Sequence, residues 1–460
     1  MKKNGFDSRR SFLKAAAGFG GSMLLGVTPF RAFAQAADLA PAGRCFVFAY
    51  FQGGWDVLLS LDPRDPAVFT NERLSDTRIQ PAYNLLANDA TFPTALVTPA
   101  TRMGSAAPTM QFGPAIGRMA DHYDLCTVVR GINMNTVAHE VGYRYFLTGK
   151  PPIGSAARGS SVATEIVGQM KPTVPVPSIA YGVESYNDRY PGAASALGVS
   201  RSADLLLTLA PSPTALNSEI EKQLVNLRGE TVTCEAQAYD TRGLVGQYRD
   251  ARNQMQSVQS AKLDASFRFE QAQNAAVRAA YGLPATGPYD TAAGRAALVA
   301  TALKQGISQC VTIQLASGLD THFGTSLAHA QQQRLGWNAL GDLVQDLRTS
   351  AHPMGGNFMD HTTIAVFSEF SRTPLLNGSG GRDHHISSSC LLVGAGIKHN
   401  GVFGKTGDVG MTPARVNVAT GLPDESGVNL TPEDIVATIL ASAQLDYSIT
   451  RVEPIKALLG

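Results

Sequence analysis

The sequence predicts an α/β fold built on an open sheet, and two observations point to it. Apolar, β-branched runs of strand length recur along the chain with helical stretches between them, and chemically capable polar side chains begin where those runs end. In open α/β sheets ligands gather beyond the carboxyl ends of the strands, so the ends of these runs are where a site is expected.

The 460 residues, 44% hydrophobic and 16% charged, suit one large or two modest globular domains with a sizeable core. The first segment stands apart. Ser8-Arg9-Arg10-Ser11-Phe12-Leu13-Lys14 precedes a Gly/Ala-rich apolar run, Ala15 to Val27, and the small-x-small triplet Ala32-Phe33-Ala34. Residues 1–34 therefore read as a twin-arginine export signal with a cleavage site. A membrane anchor fits less well, because the run is too short and too glycine-rich to span. The expected location is periplasmic or secreted, with the twin-arginine (Tat) translocase as the partner during export. Removing the signal takes away six Lys/Arg and one Asp and turns the formal net charge from +1 to −4, leaving no basic bias for nucleic acid. No later run of about 18 apolar residues predicts a transmembrane segment in the mature chain.

The five cysteines are odd in number, far apart and without a C-x-x-C pair, so neither a disulfide framework nor a zinc ribbon is indicated. Cys45, Cys126, Cys310 and Cys390 lie in apolar runs and are expected in the core.

Arg44 to Gln52 reads as the first buried strand, ending in Gly53-Gly54-Trp55-Asp56, where a tight turn presents the Asp56 carboxylate at the strand tip. Residues 62–112 read as a long loop with short helices, and Pro114 to His122 as helical. Leu125 to Ile132 is a second strand, followed by a polar loop and then by a helix that opens at His139 and stops at Gly149. Strand, polar loop and helix N-terminus suit anion binding, with Thr136 and His139 as the reactive groups. Ser178 to Gly182 is a short strand. From about 213 to 281 the pattern becomes Gln/Ala/Arg-rich and helical, an insertion within the α/β domain of residues 35–460.

Gln309 to Ala316 is the next strand, and Ser317-Gly318-Leu319-Asp320-Thr321-His322 follows it. Residues two apart on extended backbone point the same way, so Asp320 and His322 can address one ion. After a helix from Ser326 to Arg348, Thr362 to Phe367 is the strand around which the chain is organised. It halts at Ser368-Glu369-Phe370-Ser371-Arg372, and a glycine-rich turn then delivers Arg382, Asp383, His384 and His385 to the same rim. Ser388 to Ala395 is one more strand. Thr431-Pro432-Glu433-Asp434 starts a final helix that should cover a sheet face.

Four strand ends thus carry metal- or anion-capable side chains: Asp56, Thr136 with His139, Asp320 with His322, and Glu369 with Arg372, Asp383 and His384. Carboxylate and imidazole without thiolate suit Zn, Mn, Mg or Ca, and the residues do not choose among them. Each residue also has a plainer reading. Asp56, Thr136 and Asp320 can cap turns or helices, and Arg372 can pair with Glu369 or Asp383.

The segments FQGGWD, GYRYFLTGKPP, SGLDTH, SEFSRTPLLNGSGGRDHH and LLVGAGIKHNGVFGKTGD, in that order behind a twin-arginine leader, resemble the exported DUF1501 family, which is similar in fold to the alkaline phosphatase and sulfatase superfamily. The resemblance implies a doubly wound, mainly parallel sheet with a metal centre at the strand ends. It places Asp56 as the first-strand carboxylate ligand, Asp320 and His322 as the later ligand pair, Glu369 where an Asp-His pair stands, and His384 as the last histidine ligand. Phe370 replaces the histidine of the Asp-His pair. Many family members read Ser-His where this chain has Ala138-His139, which leaves Thr136 as the nearby hydroxyl.

Two functions follow as expectations. The first is a metal-dependent hydrolase of phosphate or sulfate esters, in which activated water or Thr136 attacks and Arg372 or Arg382 binds the anion. The second is a non-catalytic exported binding or assembly protein on the same scaffold, serving a secreted protein partner.

Overall fold

Alternation along the first strand explains the layering. Val47, Ala49 and Phe51 are buried on one face and Phe46, Phe48 and Tyr50 on the other, so the strand must be covered on both sides. In the computed structural model, residues 43–210 and 261–460 are described, with a few positions between 211 and 260. The expected export signal, residues 1–34, lies outside the described residues, as does most of residues 213–260 of the expected insertion.

In chain order the strands are β1 (Cys45–Phe51), β2 (Cys126–Asn133), β3 (Ser178–Tyr181), β4 (Leu197–Val199), β5 (Cys310–Ala316), β6 (Thr362–Phe367), β7 (Ser371–Arg372), β8 (His384–His385), β9 (Ser387–Gly394) and β10 (Gly401–Phe403). The main sheet runs β10-β2-β9-β6-β1-β5-β3-β4, and only β9 is antiparallel to its neighbours. β7 and β8 form a separate two-stranded ribbon. This is the expected α/β class with a mainly parallel sheet.

The principal helices are α1 (His139–Thr148), α2 (Val162–Met170), α3 (Ser202–Leu209), α4 (Ala275–Tyr281), α5 (Ala292–Lys304), α6 (Ser326–Thr349) and α7 (Pro432–Ser442). Residues of α5 and α6 share one core with Val47 and Phe51, and residues of α1, α2 and α7 share the other with Phe46 and Phe48. α7 begins as its sequence signals: Thr431 caps reciprocally with Asp434, and Pro432 stands at the first helical position. Among the described residues no helix is long and apolar enough to cross a membrane. The four described cysteines are buried and free.

One aromatic contact fixes the end of β1. Trp337 of α6 packs 4.6 Å from the Phe51 ring and 5.6 Å from the Trp55 ring, all three fully buried. Truncating Trp337 to Ala is expected to cost about 3–5 kcal/mol. The turn after β1 is thereby held against a rigid helix.

Candidate metal centre

β5, β1 and β6 are adjacent and parallel, so the loops leaving their carboxyl ends meet. Gly53 makes that approach possible. It holds φ +114°, and a Cβ there would come within 2.5 Å of the Asp320 amide nitrogen. Its own N–H donates to Glu369 Oε1 at 2.9 Å, while the Ser368 hydroxyl lies 2.8 Å from Glu369 Oε2. The Glu369 carboxylate, buried beyond β6, is thus held from both oxygens.

α1 descends onto the same carboxylate. A Cβ on Gly142 would sit 2.2 Å from the Glu369 carbonyl oxygen, so glycine is what lets the helix come this close. His139, one turn earlier, then reaches Glu369, with Nδ1 2.8 Å from Oε1. On the other side, the β7–β8 ribbon sets Arg372 opposite His384. His384 Nδ1 lies 2.7 Å from the Val137 carbonyl oxygen, and His322 Nδ1 lies 2.9 Å from Asp383 Oδ1, which also accepts from Asn377 at 3.0 Å.

These three partners settle the tautomers. Carbonyl and carboxylate oxygens only accept, so each Nδ1 must carry the hydrogen, and each neutral ring presents an Nε2 lone pair. The lone pairs converge on Asp320. Its Oδ1 is 3.5 Å from His139 Nε2, 3.2 Å from His322 Nε2 and 3.5 Å from His384 Nε2, and the last two nitrogens are 2.8 Å apart. Ligand atoms of His139, Asp320 and His384 all fall within 4.8 Å of one another. Buried His139 Nε2 has no hydrogen-bond partner. With all three rings neutral these four acceptors repel, and a proton or a metal cation among them relieves it.

Arg372 supplies part of that charge. Its Nη2 is 2.6 Å from Asp320 Oδ1, and the rest of its buried guanidinium is spent on the carbonyls of Gly53, Gly54 and Arg382. Burial raises the Asp320 carboxyl, but the Arg372 hydrogen bond and charge outweigh it and hold it below its usual range. The Glu369 hydrogen bond pushes His139 up. Desolvation pushes His384 down.

Of the residues expected at the site, the structure brings together His139, Asp320, His322 and His384. Glu369 and Asp383, expected as ligands, stand one layer out and orient the His139 and His322 rings. Asp56, also expected as a ligand, is committed elsewhere: Oδ2 pairs with Arg382 at 2.8 Å and Oδ1 accepts from the Leu58 amide at 3.0 Å. Arg372 and Arg382, expected to bind an anion, are instead occupied. Arg382 pairs with Asp56 and donates to the carbonyls of Thr373 and Gln80. The Thr136 hydroxyl accepts from the Ala138 amide at 3.1 Å, a local turn. Phe370 forms a buried wall, with ring centroids 4.8 Å from His139 and 4.5 Å from His384.

Two supports escaped the sequence reading. The Val137 carbonyl fixes His384, and no residue type could have signalled it. His329 of α6 joins two loops: its Nε2 accepts from the Asp56 amide at 2.9 Å and its Nδ1 meets Thr321 Oγ1 at 2.7 Å. Burial, with the nearby charges of Arg372 and Arg382, pushes His329 down to about 3, so the ring stays neutral.

A cleft of about 860 Å³ opens from His139, Asp320 and Glu369 and runs past Tyr143, Arg144 and Glu184.

The family model described as "Protein of unknown function (DUF1501)" matches residues 44–452. No curated protein matches the chain. Among solved structures, it is similar to Ps i-CgsB in complex with k-i-k-neocarrahexaose, at 9% identity and TM-score 0.33, covering 90% of this chain and 75% of that one. It is also similar to a quadruple mutant of the alkaline phosphatase PafA, at 9% identity and TM-score 0.39, covering 91% and 99%. Likenesses this distant carry nothing about chemistry.

Proposed function

The chain belongs to the DUF1501 family, and from that premise and the geometry of its strand-end site we propose that it is an exported, metal-dependent hydrolase of a phosphate or sulfate ester. The observation that carries this reading is the set of acceptors facing one another: Nε2 of His139, His322 and His384 around Asp320 Oδ1, each ring held by an acceptor on its Nδ1. That donor set, with its orienting outer layer, fits a divalent cation. The charge fits too: with neutral rings, Asp320, Glu369 and Asp383 outnumber Arg372 by two. When bound, a divalent cation supplies Lewis-acid stabilisation of charge on an ester oxygen.

The chain's own groups do the rest. Ala138, just before α1, gives the helix no side-chain cap, which leaves the first amides from His139 onward to meet an anion beside the cluster. Glu369 and Asp383 hold His139 and His322 in the tautomer that faces inward. Phe370 keeps water from one side of the rings.

Protein exported by its own signal should carry stoichiometric metal and hydrolyse an aryl phosphate or an aryl sulfate, and His384→Ala should abolish both properties. Metal-loaded protein that is inert across such esters would defeat the enzyme reading. Replacing Arg9 and Arg10 by Lys should retain the chain in the cytoplasm.

A second reading, a binding or assembly protein with a structural metal, is favoured by one observation. The Thr136 hydroxyl and both nearby arginines are committed to the fold, so among the described residues no side-chain nucleophile or free guanidinium faces the cluster. It expects His384→Ala to lower thermal stability or capture of a secreted partner with no catalysis to lose.

A further inference from the structure

The cleft beyond the cluster has one charge left over. Arg144, the cationic side chain on its wall, is spent: its guanidinium grips Glu184 at 2.8 and 2.9 Å, meets the Tyr186 hydroxyl at 3.0 Å and donates to the Ser155 carbonyl. The Asp320 and Glu369 carboxylates are matched by Arg372, the imidazoles and the cation they would hold. Glu140 is exposed on the same wall, and no partner satisfies its carboxylate among the described residues. Arg144 stands four residues on, the spacing of a helical ion pair, yet is turned to Glu184 instead.

Beside Glu140 is an aromatic wall. Tyr143, three residues on and on the same helix face, lines the cleft with Tyr50, their ring centroids 4.6 Å apart. Tyr143 is also one turn, about 6 Å along the axis, from His139. A carboxylate and aromatic rings together are a cation site, since a ring face attracts an ammonium and the carboxylate adds Coulomb attraction.

Resting on the anionic-ester reading, we infer that the substrate carries an alkylammonium group a short spacer from its ester, with the ester at the cluster and the ammonium held by Glu140 and Tyr143. Among the described residues the cleft offers no free cation to a second anionic group, which disfavours polyanionic substrates. Glu140 also lies in the first turn of α1, where the helix dipole favours an acid. That role alone predicts a stability change and no ligand preference.

The test uses phosphocholine and its uncharged carbon isostere, 3,3-dimethylbutyl phosphate, titrated calorimetrically into the full mature chain reconstituted with Zn²⁺ or Mn²⁺. Phosphocholine should bind about tenfold tighter than the isostere, and Glu140→Gln should bring the ratio close to one. Tyr143→Leu should reduce it as well. Equal affinities in the native chain, or a ratio unmoved in Glu140→Gln, would overturn the inference and leave the ester reading standing. If neither phosphate binds the metal-loaded chain, the ester reading fails and the inference falls with it.

Discussion

His322 Nε2 and His384 Nε2 face each other at 2.8 Å, and each ring is fixed by an acceptor-only oxygen on its far side, Asp383 for one and the Val137 carbonyl for the other. Two lone pairs at that distance repel, so a proton or a metal ion must lie between them, and the two compete for the pair. The pair therefore reports on metal binding directly. Asp383→Ala should weaken Zn²⁺ affinity by about 10- to 100-fold, as loss of an orienting partner typically does. His384→Ala should weaken it further. Competition with a chromophoric chelator measures both, and unchanged affinity in Asp383→Ala would show that the ring needs no such support.

Glu369 separates charge from packing. Its Oε1 accepts from both His139 Nδ1 and the Gly53 amide, and His139 in turn holds the buried carboxyl ionised against a desolvation that would raise it. Glu369→Gln keeps an acceptor for both donors and removes the charge, so metal affinity should fall about tenfold with folding intact. Glu369→Leu also leaves the Gly53 N–H unpaired, and should lose about 1–3 kcal/mol of stability in urea unfolding.

The strands were legible because each is apolar over its whole length and ends abruptly in polar residues. Thr362–Phe367, expected and observed over the same six residues, is the clearest case. The strand-end position of Asp320 and His322 followed from the same rule, and His384 was expected on that rim from the glycine-rich turn before it. Ring orientation was not legible. His139 joins the cluster because Glu369, 230 residues away, takes its Nδ1, and Asp56 leaves it because Arg382 takes its carboxylate. Such choices depend on partners brought together by the fold and leave no local pattern.

Gly142 tests the descent of α1 onto β6. Its missing side chain faces the Glu369 carbonyl oxygen at 2.2 Å from where a Cβ would be. Backbone cannot yield as a side-chain tip does, so Gly142→Ala should push the helix outward and cost about 1–3 kcal/mol despite the better helix propensity of alanine. Because His139 rides on the same helix, metal affinity should fall along with the melting temperature. A variant more stable than the native chain would show that α1 is not seated on that carbonyl.

Two buried histidines, His329 and His122, each contribute a pH dependence of determined sign, opposite to that of the raised His139. His329 is pushed down to about 3 by burial and by the charges of Arg372 and Arg382, and His122 to about 4 by burial and by Arg102 and Arg348, from an ordinary 6.5. Between those values the unfolded chain binds protons that the folded chain refuses, so stability rises with pH there. It is fully retained above about pH 7.5 and lost as pH falls toward 4, with each ring contributing up to about 1.4 kcal/mol per pH unit below about pH 6. This window lies above the ordinary carboxylate range, which separates the effect from acid unfolding driven by Asp and Glu. Urea unfolding of metal-free protein at pH 7, 6 and 5 should show the slope, and His122→Asn should reduce it by about 0.7 kcal/mol between pH 7 and 6 and by about 1.2 kcal/mol between pH 6 and 5. A slope that His122→Asn leaves unchanged would mean that the ring is protonated in the folded state.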